Sequence, residues 1–558
     1  MASGDRDGRT TALFSRLEGW SLLWGDAVSG DAADPVLAQD LRLPQLLERL
    51  TPVHRTRRTL EQLLAIPAGD ADREERAAAI SDFLDNPALG ELVAHLGDHL
   101  AEVHTVNERE SDRDILKLVW RLGDLALMVD AVDALRDAFA GIRNGLRSVR
   151  LRHLADLVAE LDGDSRISRL RRDLPSIRAG LRERRSVTIG VNLDDRLRPR
   201  EAMLLSVNDG EYESGGVLDS VGSALFGADN PYRARTPLHR NAAGADTVAG
   251  VETSRTHAGD TASAMPLEPL FRDLDELLRD VSRPLARAIK RYNAVSLSWL
   301  RRLVDELAVV ETVARFARRL RDHGLPVTFA ESVGDNAIDA EALYDPLLAL
   351  ERIDDGSPES IVRNDVRLFH DHPTVTVTGP NNGGKTTFLR AIGLAAVFSA
   401  AGCPVAADRL RLRPGVKVLT EFAGGESTGL DEGRFAHEAH RVAELLQRCD
   451  DSVLVLLNET FSSTAVSDAL ELSLELMEVI AARGGRAVVA THLHDLPRRG
   501  RAESLTIRPD EPFALIPGLP DGRSLAREVA RRAGLDFDAL KRGEKAVSGP
   551  ADPDVRDS

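Results

Sequence analysis

The sequence predicts two textures in one chain: a mainly α-helical N-terminal region followed by an α/β C-terminal domain. Three observations carry this. The first ~185 residues space their apolar side chains by three and four, the period of a helix with one buried face. After "GLPVTF", short β-rich runs alternate with helical stretches, as in a parallel sheet with crossover helices. Between them in kind stands "TVTVTGPNNGGKTTFLRAIG", Thr374 to Gly393, where a β-branched run meets a glycine-rich turn and then a helical pattern. At 558 residues the chain is long enough for two to four domains at ~100–200 residues each.

Taken in order, residues 1–207 are expected to form a helical region. "LPQLLERLTPVHRTRRTLEQLLA" and "DILKLVWRLGDLALMVDAVDALRDAFAGI" are its clearest amphipathic stretches, and "SVTIGVNLDDRLRPREAMLLSV" reads as two short strands around a polar turn. Residues 208–264 turn rich in Gly, Ala, Asp and Thr and bury little apolar area, so they read as a flexible loop or linker. Residues 265–340 return to helix, with "SWLRRLVDELAVVETVARFARRL" the strongest piece. Residues 341–535 form the α/β domain, and 536–558 a C-terminal tail.

Composition narrows the setting. Hydrophobic content of 43% and charged content of 29% are ordinary for a soluble globular chain. Cys403 and Cys449 are the only cysteines and no CxxC occurs, which excludes a disulfide framework and a zinc cluster and fits a reducing cytoplasm. The N-terminus lacks a basic segment followed by an apolar one, so no secretion signal is expected. The longest apolar stretch, Ala391 to Ala407, is broken by Ser399, Gly402 and Pro404 and reads as core, so no membrane span is expected. The net charge of -17 argues against a general nucleic-acid coat. A local basic segment remains, since Arg143 to Arg185 holds twelve Arg against six acidic residues.

The chemistry concentrates at three strand ends. Gly379-Pro-Asn-Asn-Gly-Gly-Lys385-Thr386 fits G-x-x-x-x-G-K-[ST] without a gap. Its glycines let backbone N–H groups approach phosphate oxygens where a side chain would collide, and the following helix points its positive end at the same anion. Gly379, Pro380, Asn381, Asn382, Gly383, Gly384, Lys385, Thr386 and Thr387 are therefore the expected nucleotide-binding residues. Lys385 would reach the β- and γ-phosphates, and the Thr386 hydroxyl would ligate Mg²⁺. "DSVLVLLNET" ends in Asn458 and Glu459, where a carboxylate orients or deprotonates the attacking water and the preceding residue helps hold Mg²⁺. Asn458 keeps an oxygen but carries no charge, which lowers metal affinity. "RAVVATHLHDL" brings His492 just past a third strand, placed to sense phosphate or orient water. In "RFAHEAHRV" the spacing is HExH rather than HExxH, and no metal site is expected there.

These motifs together resemble the MutS family of DNA mismatch repair ATPases. "TGPNNGGKTTFLRAIGLAAVFSAAGCPVAAD", "LNETFSSTAVSDALEL", "ATHLHDL" and "LIPGLPDGRSLAREVARRAGL" are similar to four family motifs in family order, and "LYDPLL" and "IVRNDVRL" sit where the family enters its ATPase domain. The likeness covers about 340 to 535; the N-terminal half resembles the family's helical core and lever more weakly. It implies an ABC/MutS-type phosphate-loop fold, ATP and Mg²⁺ as cofactors, Glu459 and His492 as catalytic residues, and Thr386 and Asn458 as metal ligands. It also implies a homodimer through the ATPase domain and contact with DNA through helical arms, for which Arg143, Arg147, Arg150, Arg152, Arg169 and Arg172 are the candidates. The family's mismatch-reading wedge, Phe-x-Glu, is missing before residue 40, and Gly433 or Arg434 stands where the family has a Ser that contacts the opposite subunit's nucleotide. The sequence-level expectation is thus a slowly hydrolysing ATPase that couples nucleotide state to DNA binding without reading mismatches. The alternative is a dimeric adaptor gated by ATP, with a protein partner, little turnover and no DNA binding. A small-molecule kinase fits poorly, because it leaves the helical N-terminus and "ATHLHDL" without a role.

Overall fold

The computed structural model describes residues 4–25, 34–65, 68–101, 115–182, 186–193, 199–208, 297–334, 338–368, 372–380, 383–423, 431–500, 502–507 and 513–520, with isolated positions between 286 and 295. Beyond Asn208, the expected linker lies outside the described residues, as does the tail. The chain divides into two compact units, each assembled from separated stretches.

The N-terminal half is helical, as its periodicity predicts. Its helices are α1 (Gly4–Gly19), α2 (Pro35–Asp40), α3 (Leu43–Leu50), α4 (His54–Ala65), α5 (Asp70–Asp85), α6 (Pro87–Ala101), α7 (Ile115–Phe139), α8 (Val149–Asp162) and α9 (Ser165–Arg182). Strands β1 (Ser186–Leu193) and β2 (Pro199–Asn208) pair antiparallel from Ser186↔Asn208, the hairpin expected from the alternating pattern. The first unit comprises Met1–Gly19, Leu96–Asp137 and Asp156–Trp299. Ion pairs hold its helices where charge meets charge: Arg171 reaches both Asp133 and Asp162 at 2.7 Å, and Arg16 meets Glu160 at 2.7 Å.

The second unit comprises Trp20–His95, Ala138–Ala155 and Leu300–Ser558. It does not begin near residue 341, where the change of texture puts the boundary. Residues 20–95 belong to it, and buried polar anchors explain why. Glu306, 2% exposed, accepts from Leu22 N at 2.5 Å, Leu23 N at 3.1 Å and the Ser21 hydroxyl at 2.9 Å. Arg76 donates to Leu23 O at 2.7 Å and Ala401 O at 3.2 Å. A buried charge persists only with such partners, and nothing in local periodicity announces them.

Its remaining elements are α10 (Ser298–Asp322), β3 (Glu331–Ser332), β4 (Ile338–Leu343), α11 (Pro346–Asp354), β5 (Asn364–Leu368), β6 (Thr374–Thr378), α12 (Lys385–Ala400), β7 (Arg409–Leu412), β8 (Lys417–Phe422), α13 (Asp431–Arg448), β9 (Val453–Asn458), α14 (Val466–Ala482), β10 (Arg486–Thr491), α15 (Leu496–Arg499), β11 (Glu503–Ile507) and β12 (Leu515–Pro517). They build a six-stranded sheet in the order β12-β11-β6-β10-β9-β8 and a four-stranded sheet in the order β3-β7-β4-β5. In the larger sheet β11, β6, β10, β9 and β8 run parallel and β12 closes the edge antiparallel.

β6, β9 and β10 are buried along their whole length, as strands covered on both faces must be. Alternation divides β9 between the two layers. Val453, Val455 and Leu457 pack with Val442 and Leu445 of α13 and Met477 and Ile480 of α14. Leu454 turns the other way, toward Ile392, Ala395 and Ala396 of α12. The parallel ladder brings the C-terminal ends of β6, β9 and β10 to one edge, where open α/β sheets place their ligands. Among the described residues, no helix is long and apolar enough to cross a membrane.

Candidate functional site

The site is built at that edge. β6 ends at Thr378, the chain turns through Gly379 and Pro380, and α12 starts at Lys385. Gly384 precedes the helix with φ +93°, a left-handed conformation that a side chain resists, and this lets the turn close directly onto the helix. The first turn of α12 thereby presents its free N–H groups to the space above the sheet edge. Asn381 and Asn382 lie outside the described residues.

Lys385 is 6% exposed, and its ammonium donates to Gly379 O at 3.0 Å and Pro380 O at 3.1 Å. Its Nζ also lies 3.4 Å from Glu459 Oε1. Glu459 follows β9 with φ +55°, and its N–H donates to Ala490 O of β10 at 2.9 Å, so the carboxylate projects from the sheet edge at a fixed place. His492, just past β10, brings Nδ1 to 2.5 Å from the other oxygen, Glu459 Oε2. Burial alone pushes the Glu459 carboxyl up, but the His492 hydrogen bond and the Lys385 charge bring it below its ordinary value. The hydrogen bond to Glu459 raises the His492 imidazole in turn, against its partial burial. Lysine, carboxylate and imidazole thus form one chain of charge-assisted contacts.

Thr386 and Asn458 also meet. The Thr386 hydroxyl donates to Asn458 Oδ1 at 2.9 Å. Hydroxyl, amide oxygen and the adjacent Glu459 carboxylate are hard oxygen donors of the kind Mg²⁺ takes, and they fit it with less charge than a carboxylate at position 458 would supply.

Beside the turn opens a cavity of about 640 Å³, lined by Pro380, Gly383, Lys385, Thr386, Thr387 and Glu459. Tyr344, Leu348, Ile361, Val362 and Phe513 line the same cavity, as do Asp345, Arg352, Ser360 and Asn364. The lining thus mixes charged and polar groups with apolar side chains. Phe513, 49% exposed, holds φ +70°, and Asn364 fixes it by donating to Phe513 O at 3.2 Å and accepting from Leu515 N at 2.7 Å. Sequence reading missed Phe513 and Asn364. The only signal was "IVRNDVRL", which placed Asn364 at the domain entry without a task.

The arginine candidates separate. Arg169 and Arg172 belong to the first unit and are exposed, while Arg143, Arg147, Arg150 and Arg152 belong to the second. Arg147 is exposed and pairs with Asp85 at 2.6 Å. Arg150 is committed inward: its guanidinium donates to Leu22 O at 3.0 Å and pairs with Asp72, so it anchors residues 20–25 instead of facing outward. Of the HExH residues, Glu438 is buried and accepts from the Ser463 hydroxyl at 2.8 Å, and His440 pairs with Glu444 at 3.2 Å.

Residues 375–506 match the MutS domain V family, inside the span that carries the sequence motifs. Among curated proteins, the chain is 30% identical over 202 residues to an endonuclease MutS2 of Geobacillus kaustophilus, covering 34% of this chain and 25% of that protein. It is 30% identical over 283 residues to an endonuclease MutS2 of Thermus thermophilus, covering 49% and 34%. It is 29% identical over 304 residues to a DNA mismatch repair protein MutS 2 of Halobacterium salinarum, covering 52% and 33%. The chain thus matches a quarter to a third of the length of these relatives.

Proposed function

We propose, for a chain whose residues 375–506 match the MutS domain V family, that it binds ATP at the Gly379–Thr387 turn and hydrolyses it slowly with Glu459. The observation that supports this most is the run of contacts Lys385–Glu459–His492, with Thr386 on Asn458 beside it. The α12 N-terminus and Lys385 hold the triphosphate by backbone N–H donors and charge. Glu459 orients the attacking water, and His492 fixes the carboxylate's rotation. Thr386 and Asn458 hold Mg²⁺, which when bound supplies charge neutralisation at the phosphate oxygens. The apolar side chains Tyr344, Leu348, Ile361 and Val362 receive the base, with Phe513 as its stacking face.

On this reading two copies meet through the ATPase domain in the cytoplasm, and nucleotide state controls DNA contact by Arg143, Arg147, Arg152, Arg169 and Arg172. Those contacts act on phosphates, so affinity falls steeply with salt. Neutral Asn458 favours a second reading, in which the protein binds ATP tightly, turns it over little and recruits a protein partner. Steady-state ATP hydrolysis at fixed salt, with and without duplex or branched DNA, separates the two. DNA-stimulated turnover supports the first, and tight Mg-ATP binding without turnover under any DNA supports the second.

A further inference from the structure

The loop that carries Glu459 is backbone-strained, and one helix face restrains it. Glu459 at φ +55° and Phe461 at φ +64° are both left-handed without being glycine. Such backbone persists only where the surroundings over-determine it, and it clusters where geometry must be held. The restraint comes from α13. Phe435, Glu438 and Arg441 are spaced by three and share one face of that helix. Phe435 packs on the buried Phe461 ring, with centroids 6.3 Å apart. Glu438, 6% exposed, accepts from the Ser463 hydroxyl at 2.8 Å. Arg441 pairs with Glu421 of β8, which is 2% exposed, and Glu421 accepts from the Thr460 hydroxyl at 3.0 Å. Two buried carboxylates therefore spend their hydrogen-bonding capacity on hydroxyls one and four residues past Glu459. Burying a carboxylate is costly, so both are held by these partners.

We propose that α13 sets the position of the catalytic carboxylate through these two links, making Thr460, Ser463, Glu421, Glu438 and Arg441 positioning residues for hydrolysis at Glu459. The proposal rests on the reading that Glu459 activates water. Its consequence is that a displacement of α13 is passed to Glu459 through Arg441–Glu421–Thr460 and Glu438–Ser463. The links are polar and directional, and a rigid helix face carries both, so they transmit orientation where apolar packing alone would tolerate sliding.

The test compares Thr460→Val, which keeps shape and loses the hydroxyl, with Thr460→Ser, which keeps the hydroxyl. Ser463→Ala and Glu459→Gln run alongside, each on the full chain. Kcat and KM for ATP, ADP affinity and melting temperature are measured for all. Thr460→Val and Ser463→Ala lower kcat about tenfold, the rate effect of one lost orienting hydrogen bond. KM and ADP affinity stay at the parental values, melting temperature falls by a few degrees because a buried carboxylate loses a donor, and Thr460→Ser restores both kcat and melting temperature. Unchanged kcat in Thr460→Val, or a serine variant as slow as the valine one, overturns the positioning role while hydrolysis by Glu459 stands. Turnover that survives Glu459→Gln overturns the hydrolysis reading and this proposal with it.

Discussion

Replacing Phe513 by alanine tests the base end of the cavity apart from the phosphate end. The ring lines the cavity, and its Cδ1 lies 3.3 Å from where a Cβ on Gly384 would be, so it borders the start of α12 itself. Stacking of a base on an aromatic face contributes ~1–3 kcal/mol. The residue is 49% exposed, so part of it stays in water and the loss sits in the lower half of that range, about 1.5 kcal/mol. At 1.4 kcal/mol per tenfold, ATP affinity falls about twelvefold. Tripolyphosphate carries the same phosphates and no base, and its affinity is unchanged. Backbone strain adds an internal control. A non-glycine residue at φ +70° costs ~1 kcal/mol, so Phe513→Gly loses the base contact equally while gaining thermal stability over Phe513→Ala. The assay is titration calorimetry with ATP and with tripolyphosphate. Unchanged ATP affinity, or an equal loss for both ligands, refutes the assignment.

The Glu459–His492 pair gives a pH signature. The depressed Glu459 contributes stability above its unfolded value of 4.5 and loses it as pH falls through the folded value, while the raised His492 contributes below 6.5 and loses it as pH rises through its folded value. The stability gap between the parent and His492→Gln is therefore widest between 4.5 and 6.5 and closes as pH rises through the raised His492 value, as thermal melts across pH will record. Asn458→Asp adds a charge beside the Thr386 hydroxyl worth on the order of 1–2 kcal/mol to a nearby cation in a partly screened site. The Mg²⁺ concentration for half-maximal turnover drops about tenfold. Gly402→Ala places a Cβ 2.5 Å from the Arg73 carbonyl oxygen at φ +80°, and destabilises by about 3 kcal/mol without changing ATP affinity per folded molecule.

The phosphate turn, Glu459 and His492 stand out in the sequence because each lies at the end of a fully buried strand, where local pattern and motif coincide. Their mutual contacts follow from the strand order, which places β10 between β6 and β9. What was not legible is non-local. Residues 20–95 read as part of a helical arm, yet Glu306 and Arg76 bind their backbone into the unit that carries the site. Arg150 looked like one more surface arginine in a basic run, and its partners Asp72 and Leu22 lie more than seventy residues away in sequence. Phe513 depends on a positive φ and on Asn364, and neither leaves a periodic trace. Glu421 and Arg441 are charged residues in elements that pattern alone would mark as a strand end and a solvated helix face.

Hydrolysis by Glu459 of a nucleotide held by the Lys385 turn is tested by phosphate release from the parent and from Glu459→Ala, at ATP concentrations where a binding assay finds both saturated. Equal occupancy with release falling 10²-fold or more in the variant is the predicted result. Equal occupancy with equal release would contradict it.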